Sequence, residues 1–250
     1  MNDSTFGENY AALYDSLYAD KPYDAEVATI RKLIEWQCGR KPSGKNILDV
    51  GCGTGNHSLR LMVDNNVTGL DRSEAMLTYA RKKAPQAKFV LGDATNFDLD
   101  EKFDVVLTMA AVLGYQLKNF DVADTLQCVR KHLNVGGLYI FDVWYGPTVV
   151  TIGAGERVKL IENGGTKYIR LSRGQLDTFH NYCNVTYNVW DTATGAEFTE
   201  SHTMRYFFPT EIEYYLWEAG FRILLLGQCP NIWVLPDDKS WHMMIAATMR

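Results

Sequence analysis

Paired cysteines, a basic excess, long apolar runs and a cationic leader are all missing from this 250-residue chain, and each absence removes a class of protein. Cys38, Cys52, Cys128, Cys183 and Cys229 are odd in number and scattered, with no Cys-x-x-Cys spacing for zinc or redox chemistry. They read as free thiols in a reducing cytoplasm. The 25 Lys and Arg are outnumbered by 30 Asp and Glu, and a formal charge of −5 argues against a broad cationic surface for nucleic acid or anionic lipid. No apolar stretch approaches the ~18 residues of a membrane span. The opening MNDSTFGENY has neither the basic nor the apolar region of a secretory signal, so a soluble, cytoplasmic protein is expected. Hydrophobic residues at 46% and charged residues at 22% are an ordinary globular mixture, which excludes disorder, collagen and coiled coil for the chain as a whole. Internal repeats and low-complexity tracts are absent too.

What is present is an alternation of elements. Tyr10, Leu13, Tyr14, Leu17 and Tyr18 recur at the spacing of one helix face. A second helix is expected from Pro22, with Tyr23, Val27, Ile30, Leu33 and Ile34 inward and a stop near Gly39, followed by a loop over 40–45. Short apolar runs then alternate with helical stretches: NILDV, a helix near 56–65, VTGLD, a helix over 73–84, KFVLG, FDVVLTM, a helix over 120–133, and LYIFDV, with Asn134 to Gly137 closing the last of these helices. Repeated strand and helix of this kind predict a mainly parallel α/β sheet, Rossmann-like and doubly wound. Residues 155–208 change character, and breaks at Asn163-Gly164-Gly165, Arg173-Gly174 and Thr194-Gly195 predict an antiparallel sheet of about four strands. Because the α/β pattern resumes afterwards, this is an insertion: residues 1–146 and 209–250 are expected to form the core, and 147–208 a lid, acceptor wall or dimer contact. Thr210-Glu211-Ile212-Glu213 has the spacing of a capping box opening a helix to about Gly220, and FRILLLGQ and WHMMIAATM are expected as final strands, the second with Trp241, Met243, Ile245, Ala247 and Met249 alternating.

The chemistry gathers at three strand ends. Ile47-Leu48-Asp49-Val50-Gly51-Cys52-Gly53-Thr54-Gly55 runs from a strand into a glycine-rich turn and then a helix, where free amides and a bare backbone can approach a ligand closely. Its Gly-x-Gly-x-Gly spacing with Asp49 in front differs from the Gly-x-Gly-x-x-Gly that suits a pyrophosphate, and the acid suits a cationic group. Asp71 ends the next strand, placed to accept from both hydroxyls of a ribose. Gly92-Asp93-Ala94 ends the third, where a carboxylate can accept from an adenine amino group.

Together DVGCGTG, LDRS and LGDA resemble class I S-adenosylmethionine-dependent methyltransferases over roughly 45–145 and the last strands. The resemblance implies a seven-stranded sheet with its last strand antiparallel and S-adenosyl-L-methionine as cofactor, released as S-adenosyl-L-homocysteine. It places Gly51, Cys52, Gly53, Thr54 and Gly55 beside the methionine part, Asp71 on the ribose, Asp93 near the adenine, and Arg72 and Met76 beside the nucleoside. A nearer resemblance extends to both ends of the chain. Tyr14-Asp15-Ser16-Leu17-Tyr18 with Tyr23, His57 after the glycine turn, the run from Met109 to Tyr115, and FDVWYGP are similar to sugar N-methyltransferases of deoxyaminosugar biosynthesis. Those enzymes act on nucleotide-linked sugars and carry an antiparallel sheet after the fifth strand, with N-terminal tyrosines forming a helical lid over the cofactor. At Tyr115 this chain departs from the histidine common in the sugar N-dimethyltransferases, which keeps oxygen acceptors open.

The expected reaction is methyl transfer to a nitrogen or oxygen of a small-molecule acceptor, a nucleotide-linked aminosugar first; a glycine-type or small-amine N-methyltransferase and a natural-product O-methyltransferase stand as alternatives. A nicotinamide oxidoreductase and a cofactor-sensing protein are the readings from other classes. Tyr14, Tyr115 and Asp142 are candidates to hold the acceptor or take its proton. Tyr14, Tyr23, Asp49, His57, Gly92, Ala94 and Met109 join the cofactor set, and Tyr18, Tyr115, Trp144, Tyr145 and His180 the acceptor side. His180, His202, Arg157 and Arg173 fall on the insertion, where a solvated strand face is the plainer reading, with His180 alone kept as an acceptor candidate. Cys52 has no partnered base and is expected to pack beside the cofactor. The run Thr108-Met109-Ala110-Ala111 lacks the Asn/Asp-Pro-Pro-Tyr/Phe motif of adenine-modifying DNA enzymes, Cys229 precedes rather than follows its proline, and Asp142 stands alone where a metal would need clustered acids, so no metal is expected. Exposed strand edges in the insertion could pair two copies into a homodimer, as in the related sugar enzymes.

Overall fold

In the computed structural model, residues 5–39 and 43–250 are described. Helices α1 (Glu8–Leu17) and α2 (Tyr23–Cys38) precede β1 (Asn46–Val50), α3 (Asn56–Leu61), β2 (Asn66–Asp71), α4 (Glu74–Lys83), β3 (Lys88–Leu91), β4 (Phe103–Thr108), α5 (Asn119–His132) and β5 (Leu133–Trp144). Then come α6 (Gly146–Ile152), β6 (Arg157–Asn163), β7 (Thr166–Asp177), β8 (Tyr182–Asp191), β9 (Glu197–Arg205), α7 (Pro209–Glu218), β10 (Phe221–Gln228) and β11 (His242–Met249). Seven strands form one sheet in the order β10-β11-β5-β4-β1-β2-β3, and β6-β7-β8-β9 form a second, antiparallel sheet. β11 runs antiparallel to both of its neighbours while β1 to β5 are parallel, the expected class I, Rossmann-like topology.

Alternation along the strands sorts the core onto two faces. Leu48, Val106, Tyr139, Phe141, Val143, Met243 and Ile245 pack under α5 and α7, while Ile47, Val105, Leu107, Ile140, Met244 and Ala246 pack under α2 and α3. Both faces are covered, so β11 is buried throughout Met243–Thr248 instead of alternating with solvent. Ile30, Leu33 and Ile34 of α2 are wholly buried, each contributing about 1.5–3 kcal/mol. Helix α1 packs elsewhere: Tyr10, Leu13 and Leu17 meet Ile161 and Val189 of the second sheet, so this helix bridges the two sheets. No helix among the described residues is long and apolar enough to cross a membrane.

Several expectations are corrected. α3 ends at Leu61, not near residue 65, because the Asn65 side chain donates to the Leu61 carbonyl and accepts from the Lys45 amide. Asn134 to Gly137 lie within β5 as a bulge, where the pairing with β4 shifts between Phe103 and Val105. Arg173-Gly174 is no turn: β7 runs through it, and Gly174 is required because Ala154 presses on its backbone. The reversal comes later, at Asp177, whose carboxylate accepts from the Phe179 and His180 amides, with Asn181 left-handed at φ +60°. Helix α7 opens at Phe208, capped by Glu211 Oε2 accepting from its amide at 3.3 Å rather than by the Thr210/Glu213 pair. The short helix α6 had no periodic signal of its own. Of the loop expected over 40–45, residues 40–42 lie outside the described residues, as does the Cys38 side chain, while Cys52, Cys128, Cys183 and Cys229 are free thiols.

Candidate active site

The carboxyl ends of β1, β2 and β3 open onto a cavity of about 430 Å³ enclosed between the two sheets and α1. Gly51, Gly53 and Gly55 all adopt positive φ, at +73°, +56° and +82°. The amides of Gly51 and Cys52 both donate to the Leu70 carbonyl, at 2.7 and 3.0 Å, which pins the turn to the end of β2. Asp71 Oδ2 accepts from the Gly53 amide and Oδ1 from the Ser73 amide, each at 2.8 Å. Each oxygen keeps a lone pair for a ligand hydroxyl. Burial nevertheless pushes the Asp71 carboxyl above the usual range. Ser73 caps α4 by accepting from the Met76 amide, and Arg72 and Met76 line the cavity beside Asp71. Gly92, Asp93 and Ala94 complete this wall; Asp93 Oδ1 is taken by the Thr95 amide and hydroxyl, which leaves Oδ2. A bare glycine backbone, then an acid at each of two neighbouring strand ends, fits a methionine part, a ribose and an adenine in that order.

Other expected cofactor residues lie behind this wall. Asp49 is 1% exposed, accepts from Ser58 Oγ at 2.5 Å, and is raised by burial. Cys52 packs against Leu77 and Phe89, and burial drives its thiol pKa up, which suits packing and not nucleophilic attack. Met109 is buried among the α2-side core. His57 Nε2 meets Glu26 Oε2 at 2.7 Å, with the Tyr23 ring edge-on to the imidazole. Burial alone would raise Glu26, but His57 and Lys21 outweigh it and hold the carboxyl low. Thr54 Oγ1 donates to Asp15 at 2.6 Å, and Lys83 pairs with the same carboxylate at 2.5 Å. Thr54, His57 and Tyr23 thus tie α1 and α2 to the glycine turn without facing the cavity.

Aromatic rings and cations form the opposite half. Tyr14, Tyr18, Tyr115 and Trp144 line it, joined by Phe6, Tyr187, Trp241 and His242, none of which the sequence marks as a site residue. Tyr115 Oη lies 2.9 Å from His202 Nδ1. His202 is 4% exposed, so the solvated-strand reading of this residue is wrong; Arg157 also lines the cavity, whereas Arg173 is on the surface, paired with Glu156. A signal was available in the two-residue period: Arg170, Ser172 and Gly174 on β7, Val185 and Tyr187 on β8, and His202 and Met204 on β9 share one sheet face. The Arg170 guanidinium lies between the Tyr18 and Tyr187 rings, at 5.8 and 5.0 Å, with buried Nε and Nη1 lacking partners among the described residues. Tyr145 packs into the core under α5 and α7, and exposed His180 pairs with Asp177 at the β7–β8 turn, both off the cavity. Asp142 is 2% exposed and reaches the cavity only through His242, whose Nδ1 is 2.6 Å from Asp142 Oδ2.

Burial, with help from the Arg72 charge, depresses the His202 pKa to about 4. In the unfolded chain the ring takes up its proton near pH ~6.5. Between those values the unfolded state binds more protons, so the His202 contribution to stability is complete above the upper value and is lost as pH falls through the lower. The shift corresponds to about 3 kcal/mol. Glu200 and the Tyr115, Tyr10 and Tyr187 rings surround His202, and Glu200 is itself raised by burial, which opposes the trend. Urea melts at about pH 7.5 and about pH 4.5 should show His202→Gln losing about 2–3 kcal/mol less than wild type. Equal losses would contradict a buried neutral ring.

Residues 47–137 match the family described as a methyltransferase domain. Over 89% of this chain and 94% of the other, the sequence is 29% identical to dTDP-3-amino-3,4,6-trideoxy-alpha-D-glucopyranose N,N-dimethyltransferase of Streptomyces venezuelae. The crystal structure of Streptomyces venezuelae DesVI superposes with a TM-score of 0.79 at 27% identity, covering 96% of this chain and 98% of that one. The amino pentose methyltransferase CalS10 from Micromonospora echinaspora, solved with S-adenosylmethionine bound, has the same fold, with a TM-score of 0.78 at 23% identity over 95% of this chain and 97% of that one. With the glycine turn, the acids at the ends of β2 and β3 and the antiparallel β11 all in place, residues 47–137 are a methyltransferase domain and the chain has the fold of the class I S-adenosylmethionine-dependent methyltransferases.

Proposed function

We propose that this enzyme methylates the amine of a nucleotide-linked aminosugar. The carrying observation is the division of charge across the cavity. Its lining carboxylates, Asp71 and Asp93, are both on the cofactor half with Arg72 beside them, whereas the other three lining cations, Lys21, Arg157 and Arg170, lie on the other half among aromatic rings and no carboxylate. A sugar stacks on such rings, and the partnerless nitrogens of Arg170 suit a phosphate-bearing acceptor. The relatives from Streptomyces venezuelae and Saccharopolyspora spinosa, named as dTDP-aminosugar N,N-dimethyltransferases, support the same choice.

When bound, S-adenosylmethionine supplies an electrophilic methyl group on a sulfonium, so the chemical drive is the cofactor's own. The chain supplies alignment and dryness. Asp71 and Asp93 hold the nucleoside, the glycine turn admits the methionine part, and Tyr14, Tyr18 and Tyr115 wall the reacting space. Burial raises the Tyr14 and Tyr115 pKa values, so these phenols keep their protons; Tyr14 orients the acceptor as a donor, while Tyr115 donates its hydrogen bond to His202 Nδ1 and turns its oxygen lone pairs to the cavity. Residues 147–208, with α1 and α2 tied to the glycine turn through Asp15 and Glu26, serve as lid and acceptor wall. A near-attack arrangement held this way contributes ~7–11 kcal/mol.

The test is transfer of isotope-labelled methyl to a dTDP-linked aminosugar, its hydroxyl analogue, and glycine. Label in the aminosugar alone is expected, with turnover falling as salt rises because the phosphates are held by charge. Label in glycine but not the sugar would overturn the reading. We also propose that two copies pair at edge strand β6, where Val158 and Leu160 are 69% and 75% exposed. A lone monomer boundary in sedimentation would remove that pairing.

A further inference from the structure

We propose that His242 is the general base of the transfer and Asp142 its positioning residue. This rests on the reading of the enzyme as an amine methyltransferase. Because β11 is antiparallel, its first residue arrives at the sheet edge where β5 ends, and His242 pairs in register with Trp144. The cofactor half of the cavity is built on β1, β2 and β3; the histidine stands beyond β4 and β5, on the acceptor side.

Asp142 points the ring. Its Oδ2 is 2.6 Å from His242 Nδ1 and accepts from the Ala111 amide at 3.1 Å. Burial by itself would raise this carboxyl, but His242 and the nearby Lys21 charge hold it low, so it stays an anion. An anionic carboxylate only accepts, so Nδ1 carries a proton, and in the neutral ring the basic lone pair is the one on Nε2. The His242 side chain is 31% exposed and lines the cavity with Trp144 and Trp241, so that lone pair is accessible. Other groups facing the pair are Cys229, whose amide donates to the His242 carbonyl, and Arg157, which lies over Trp241.

Competing bases are weaker. Tyr14 and Tyr115 retain their protons, and a Tyr115 hydroxyl that keeps its proton occupies Nδ1 of His202. The Asp142 carboxylate also links the base to the cofactor turn. Ala110 and Ala111 are left-handed at φ +61° and +57°, a costly pair of non-glycine conformations, and the bond from the Ala111 amide holds them. The next residue, Val112, fills the space over Gly51. One carboxylate therefore sets both the loop against the glycine turn and the tautomer of the histidine.

In the proposed step one proton passes from the acceptor's ammonium to His242 Nε2, and the nitrogen keeps the electron pair that becomes its nucleophilic lone pair. The imidazolium charge is offset by Asp142, and the proton leaves to solvent after turnover. His242→Gln should lower kcat by about 100-fold or more, with calorimetric S-adenosylmethionine affinity unchanged. His242→Ala should regain activity with added imidazole. Asp142→Asn, which keeps the shape but permits the other tautomer, should lower kcat with little change in KM, and should move the downfield Nδ1–H proton resonance that wild type shows and His242→Gln lacks. Full kcat in His242→Gln, or no such resonance in wild type, overturns the proposal. If wild type transfers no label to any amine, the functional reading fails instead, and the resonance still scores the Asp142–His242 pair separately.

Discussion

Asp71→Ala is expected to weaken S-adenosylmethionine binding by about 100-fold or more while leaving a folded protein. Hydrogen bonds to a charged group contribute about 1.5–3 kcal/mol each, and two ribose hydroxyls accepted by one carboxylate make that at least ~3 kcal/mol, where ~1.4 kcal/mol is tenfold. A second loss compounds the first, since Asp71 also fixes the Gly53 and Ser73 amides and so the path of the turn. Asp71→Asn, which retains one carbonyl oxygen, should fall between. Calorimetric titration with S-adenosylmethionine checks the ranking, and thermal melts confirm folding. Wild-type affinity in Asp71→Ala would mean that the ribose lies elsewhere.

Gly51→Ala is expected to cost more than any other single methyl in the turn. A Cβ there would lie 2.5 and 2.6 Å from the two methyls of Val112, and its backbone is at φ +73°. The left-handed conformation costs about 1–2 kcal/mol for a residue with a Cβ, and forcing an extra methyl into a packed contact adds about 1–3 kcal/mol. Together they predict a loss of about 2–5 kcal/mol in denaturant unfolding, with cofactor affinity falling as the Val112 loop is displaced. Gly39 supplies the control. It is left-handed as well, at φ +56°, but nothing among the described residues lies within 4 Å of its would-be Cβ, so Gly39→Ala should show the backbone cost alone. Similar losses in the two variants would remove the Val112 contact from the account.

The periodicities explain why so much was legible before folding. β1, β2, β4 and β5 are buried on both faces and so read as apolar runs, and Asp71 stands where one of them stops, while Asp93 follows the shorter, half-exposed run of β3, positions fixed by local sequence. The acceptor half was harder to read because its chemistry is made by long-range pairing. Asp142 was visible as an isolated acid, yet its partner is 100 residues away and meets it only through the β5–β11 register. His202 looked like one polar residue among many on a twisted edge sheet, and the packing of α1 against that sheet is what buries it. The glycine in Arg173-Gly174 was misread because a close backbone approach and a turn leave the same mark in a sequence. Tyr23 and His57 carried a family resemblance, but their side chains fasten the lid helices from behind the turn.

The most direct test of the account is a crystal structure with S-adenosylhomocysteine bound. The expected complex has both ribose hydroxyls on Asp71, the adenine beside Asp93, and the sulfur turned toward the side of the cavity that holds Tyr14, Tyr115 and His242. A nucleoside found on the Arg157 and Arg170 side, or a sulfur facing away from those three residues, would contradict it.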